Sequence, residues 1–154
     1  MTTPLRNDEQ RLTKREELTV SSAAMADVPW AVAGAAGAVV TGADLLLHLI
    51  GGHLAVSSSL AAGTVAAFTV AGGSVVIRRN AGRAARWARN HPWRFAVLPG
   101  AATAAVVFVI AVLTGSVFGG VFTALWHGAI TFGLTGAAGA IAGSGQRAEK
   151  RRSS

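Results

Sequence analysis

Apolar positions in this chain fall into two long blocks, and the charged positions fall into three short segments around them. Between Asp27 and Arg78 lie fifty residues with one acid, Asp44, and no Lys or Arg. Residues 95–146 contain no Asp, Glu, Lys or Arg at all. A soluble fold needs charged cover over its surface, and two such stretches leave none to spare. A bilayer core about 30 Å thick takes about 20 apolar residues as a helix, so each block is long enough for two spans and a tight turn. Open strands would leave backbone groups unpaired in lipid, and the ten-residue alternation of a membrane barrel is missing.

The pattern therefore predicts an all-α integral membrane protein with four transmembrane helices arranged as two helical hairpins. The first span runs from about Trp30 to Ile50, with Gly51, Gly52 and His53 as the turn, and the second from about Leu54 to Ile77. The third starts at Pro92 or Phe95 and reaches Leu113. Thr114, Gly115 and Ser116 form the next turn, with Gly119 and Gly120 as a competing break, and the fourth span runs from Val117 to Ala142. The chain divides into a polar N-terminal tail (1–27), a first transmembrane hairpin (28–77), a basic loop or interfacial helix (78–94), a second transmembrane hairpin (95–143) and a basic C-terminal tail (144–154).

Composition agrees. Only 14% of the 154 residues are charged, against about 25% in a typical soluble domain. Cysteine is absent, which removes disulfides, thiolate metal sites and thiol nucleophiles. The N-terminal tail has no apolar segment after its early basic residues, so it does not read as a cleavable signal peptide. Asn7 or Asp8 is a candidate cap for a short helix over residues 9–18. The last nine residues read as disordered.

Charge sets the orientation. All fourteen Lys and Arg residues lie in the two tails and the central loop: Arg6, Arg11, Lys14 and Arg15; Arg78, Arg79, Arg83, Arg86, Arg89 and Arg94; Arg147, Lys150, Arg151 and Arg152. Four spans put these segments on one side, and the positive-inside rule makes that side cytoplasmic, termini included. Topology thus accounts for the basic run before any ligand is needed. Nucleic acid is the lesser reading of it, since no recognised nucleic-acid module accompanies the arginines. As a helix, residues 78–90 set arginines on one face and Ala81, Ala84, Ala85 and Ala88 on the other, with Trp87 between. Such a helix suits anionic headgroups, at about 1 kcal/mol per Arg near the surface. Trp30, Trp87 and Trp93 fall at the boundary that Trp favours, whereas Trp126 lies well inside the fourth span.

A weak repeat is present. VPWAVAGAAGAVV at 28–40 and HPWRFAVLPGAAT at 91–103 each open a hairpin with Pro-Trp, 63 residues apart. Convergence on the same boundary chemistry accounts for the match as well as duplication does. Glycine spacing adds two candidate packing pairs, Gly115 with Gly119 and Gly139 with Gly143, within one molecule or between copies. Ala124 is taken as lipid-facing.

Polar groups within the spans are the candidate chemistry. Asp44 and His48 are four apart and share a helix face. If the first and fourth spans pack, His127 comes within reach of Asp44. A polar staple between helices is the leading reading, and a proton-titrating site is the alternative. A metal site stands further behind, since His alone is a weak metal signal. Ser57, Ser58 and Ser59 form a run with no identified base, and no phosphate loop, HExxH or nucleophile elbow is present. The sequence calls for no cofactor. It points to a non-enzymatic inner-membrane subunit that contacts anionic lipid and packs with itself or a larger membrane complex. Alternatives are a proton-coupled transporter or channel subunit using Asp44 and His127, and a holin-like pore former. The Ala, Gly and Arg bias associates the chain with a high-GC bacterial genome.

Overall fold

A computed structural model describes residues 28–77, 83–115 and 117–152, with six isolated positions between 16 and 26. It is helical, with no strand among the described residues. The helices are α1 (Trp30–Ile50), α2 (Val56–Ile77), α3 (Arg83–Asn90), α4 (Pro92–Leu113) and α5 (Val117–Arg152). Four of them, all but α3, are long and apolar enough to cross a membrane. A span of 21 or 22 residues is about 32 Å long at 1.5 Å per residue, which matches the hydrocarbon thickness.

The helix ends follow local chemistry. Pro92 starts α4 at its first position, where a missing N–H is not felt; this is the earlier of the two predicted starts. Helix α2 begins at Val56 rather than Leu54. After α1 and after α4 the chain turns at a glycine with positive φ, Gly52 at 80° and Gly115 at 89°, a backbone state that side chains disfavour. The competing break at Gly119 and Gly120 does not occur, and both lie inside α5. Helix α5 also continues ten residues past the predicted end at Ala142, to Arg152. The expected disorder there gives way to helix because Gln, Arg, Ala, Glu and Lys are all good helix formers. The predicted helix over residues 9–18 lies almost wholly outside the described residues.

Packing is uneven. Among the described residues α1 touches only α2, α2 also touches α4 and α5, and the α4–α5 contact is the most extensive. Helix α3 lies against α2, α4 and α5. One core cluster, near the α3 end, joins Ala33, Ala71, Val75, Val76, Ala88 and Phe95; a second, near the 51–55 turn, joins Ala61, Val107 and Ala124. Ala124 is therefore a core residue and not lipid-facing. Between the clusters α4 carries a buried internal proline, Pro99, whose carbonyl accepts a 2.9 Å bond from the Thr103 hydroxyl.

Candidate functional site

The polar chemistry of the spans gathers where α1 and α2 leave and enter the 51–55 turn. Asp44 sits six residues before the end of α1 and shares a face with His48, as the four-residue spacing requires. The His48 Nδ1–H donates to the Asp44 carbonyl at 2.8 Å and lies 3.3 Å from the carboxylate Oδ2. The same Oδ2 accepts a 2.7 Å bond from the hydroxyl of Ser59, a fully buried residue of α2. This side-chain hydrogen bond ties α1 to α2. His53 in the turn stacks edge-on against His48, with ring centroids 5.0 Å apart. Asp44 keeps 30% of its side chain exposed. Its Oδ1 has no hydrogen-bond partner among the described residues.

His127 is not part of this group. It stands on α5, where its Nδ1–H donates to the Thr123 carbonyl at 2.7 Å, and α1 and α5 do not touch among the described residues. The condition for an Asp44–His127 pair within one chain is not met. No group of three or more His, Asp or Glu side chains among the described residues is placed to hold a metal. Ser59 is the partner that sequence spacing missed. Helical periodicity relates residues of one helix, and the register between two helices is not written in either.

The α1–α2 contact itself is built on glycine. A Cβ on Gly63 would stand 2.6 Å from the Gly37 carbonyl and would also strike Thr41, and one on Gly37 would stand 2.8 Å from the Gly63 carbonyl and 3.0 Å from the Ala67 Cβ. The two backbones cross where neither has a side chain, the close approach that small residues permit in lipid. The α4–α5 contact repeats this construction. A Cβ on Gly128 would meet the Gly100 carbonyl at 2.9 Å and Ala104 at 2.9 Å, and one on Gly100 would meet the Gly128 carbonyl at 3.0 Å and Phe132 at 3.0 Å. Gly37, Thr41 and Gly52 map onto Gly100, Ala104 and Gly115 at a constant offset of 63, and Gly63 and Ala67 map onto Gly128 and Phe132 at 65. The Pro-Trp pairs share the first offset, and each Trp packs on a Phe of the following span, Trp30 on Phe68 and Trp93 on Phe132. Boundary chemistry explains the tryptophans but not crossings in register at mid-helix. In the second half, Asp44 and Ser59 are replaced by Val107 and Ala124, which meet in the core.

The sequence-predicted glycine pairs serve other ends. Gly139 lies against Pro92 and Val76, and Gly143 lies under the Arg89 backbone, so this pair seats α5 against the start of α4, α2 and α3. Gly115 makes the turn and has open space around it. Gly119 is exposed, and the close approach nearby belongs to Gly120 against Ala111.

In the basic segment, Arg78 and Arg79 lie outside the described residues and Arg83 begins α3. Arg86 is exposed, as an amphipathic helix predicts, and Ala88 is buried. Arg89 is only 9% exposed, because α3 is wedged against three helices rather than one. Trp87 is half-buried and stacks on His91, ring centroids 5.4 Å apart, while Trp93 and Trp30 stay half-exposed. Arg94 stands in the first turn of α4. Comparison with protein-family models, with curated proteins and with solved structures finds no match for this chain.

Proposed function

We propose that this chain is a small multi-pass protein of the bacterial inner membrane that acts without catalysis. It is a structural or accessory subunit that packs with itself or with a larger membrane assembly of the transport, secretion or plasmid-transfer kind. In this reading α1–α2 and α4–α5 are two transmembrane hairpins. Both tails and the basic segment face the cytoplasm, where the arginines meet anionic headgroups.

The observation that carries the reading is the state of Asp44. It is the single Asp or Glu within the spans, and its Oδ2 is taken up by Ser59 of α2 as a link between helices, with His48 of its own helix beside it. Together with two glycine crossings, these are fittings for packing. Expression in bacterial membranes followed by crosslinking and single-particle mass in lipid nanodiscs tests it. A mass above that of one chain, whether from more copies or from a co-purifying subunit, is the expected result. A lone chain with no crosslinked partner overturns it.

One further reading draws on His53, which extends the Asp44–His48 pair toward the turn. A carboxylate and two imidazoles in sequence are the parts of a proton path, the default role of ionisable groups in a membrane. Proton flux into liposomes decides it. Flux that disappears in a well-folded Asp44→Asn protein favours the proton path; no flux from the wild type ends it.

A further inference from the structure

The contact between the two halves has a direction. Helix α2 touches both α4 and α5, while α1 touches neither. If the halves met about a two-fold axis, the α2–α4 contact would be matched by one between α5 and α1. Its absence makes the contact heterologous, the kind that leaves each partner with an unused complementary surface. Because the halves are built alike, the unused surfaces can be named. Helix α2 presents Ala61 to Val107 and Ala124, and Gly72 to Pro99 and Thr135. At the offset of 65 those two α2 positions become Trp126 and Ala137 of α5, and both are exposed. The surface that receives α2 maps back to Asp44 (from Val107) and to Ala36 and Val70 (from Pro99 and Thr135), all partly exposed, with Ser59 (from Ala124) buried beneath them.

We propose that a second copy of this chain docks here: the exposed face of α5 around Trp126 and Ala137 packs onto α1–α2 of the next copy, as α2 packs onto α4–α5 within one chain. The inference rests on the reading of the protein as a self-packing subunit and names the surface it uses. Two otherwise unexplained residues meet in this contact. Trp126 lies nine residues into α5, about 14 Å from its start. It is 61% exposed, and its indole N–H has no partner among the described residues. An unpaired donor at that depth is costly. The repeat sets Trp126 over Asp44, whose free Oδ1 is an acceptor within reach of the long indole side chain. The N–H donates to the carboxylate, and the indole ring covers the part of Asp44 that Ser59 and His48 leave open. The apolar pair in the core of the second half thus has a polar counterpart between copies. All copies keep one orientation in the membrane, and repetition of the contact gives a ring where the rotation closes.

The natural absence of cysteine makes the test direct. Ala36→Cys and Ala137→Cys are prepared separately and together in the full chain, and crosslinked in membranes with a short bis-maleimide. The expected result is that neither single variant links to itself, a mixture of the two gives a dimer, and the double variant gives a ladder or closed ring. Trp126→Phe keeps the ring and loses the N–H. It should lower the crosslinked fraction by about 3-fold to 20-fold, the range that interhelical hydrogen bonds in membranes span. Added to Asp44→Leu it should lower the fraction no further. Helix content and melting in detergent, unchanged in Trp126→Phe, separate lost docking from lost folding. Links within a single variant, Ala137→Cys to itself, would show a two-fold face and overturn this docking while leaving self-association intact. Particles of one chain without links would overturn both.

Discussion

Ser59 has one hydroxyl proton and two acceptors in reach, the Asp44 Oδ2 at 2.7 Å and the Ala55 carbonyl at 3.0 Å. The shorter bond goes to the carboxyl oxygen on the neighbouring helix. Removing the hydroxyl strips Asp44 of its partner on α2 and leaves it with His48. Ser59→Ala should therefore lower stability in detergent by about 0.6 and at most about 1.7 kcal/mol, read as a shift in thermal unfolding. Asp44→Asn should cost less, because its side-chain oxygen still accepts from Ser59. Asp44→Leu lets Ser59 fall back on Ala55, so its cost and that of Ser59→Ala should overlap in the double variant rather than add. Full additivity would show that the bond does not hold the helices. The face shared by Asp44 and His48 was legible from a spacing of four. The Ser59 partner was not, and neither was the separation of His127 from Asp44, since both depend on which helices are neighbours.

At the scale of the element, glycine position matters more than glycine count. Gly37, Gly63, Gly100 and Gly128 sit where a Cβ meets backbone within about 3 Å, while Gly34 and Gly42 of α1 have nothing within 4 Å. Gly63→Leu and Gly128→Leu must push backbones apart, because a carbonyl cannot yield as a side-chain end can. Each should cost at least the 1–3 kcal/mol typical of overpacking, ~2 kcal/mol or more. Gly34→Leu and Gly42→Leu should be neutral or slightly stabilising, since Leu is the better helix former. Equal melting shifts for Gly63→Leu and Gly34→Leu would remove the crossing from the account. Ala124→Leu belongs with the damaging set, because Ala124 is packed with Ala61 and Val107, and so does Gly139→Leu, which would drive into Pro92. The helices themselves, their number and most of their ends were readable, because lipid demands a long apolar helix and Gly and Pro mark its ends. The crossings were half visible: the repeat of residues 28–40 at 91–103 contains Gly37 and Gly100, but their partners Gly63 and Gly128 lie beyond it. Spans that are apolar all round carry no stripe to say which side meets a neighbour.

For the molecule as a whole, the distribution of charge and the order of packing make separate statements. The fourteen cations occupy three segments, and under the proposed four-span topology all three come to one side. The structure adds that α3 is not a loose loop over the lipid. It is seated on α2, α4 and α5, with Arg89 buried and Arg86 exposed. That seat holds the link between the halves against three helices, and under the proposed topology the positive-inside rule turns this end to the cytoplasm. A single thiol at Gly52 or at Gly115 should react with a membrane-impermeant maleimide added to intact cells, since both glycines lie in turns with open space around them. A thiol at position 85 should stay unlabelled until the cells are opened. Exchanging Arg78, Arg79, Arg83 and Arg86 for Gln removes about 1 kcal/mol of attraction to an anionic inner surface for each residue close to it. It should raise the fraction of molecules labelled at position 85 in intact cells, because the loop is short enough for its charge to set orientation. Wild-type molecules labelled at 85 from outside would end the four-span topology, and with it the cytoplasmic placement of both tails.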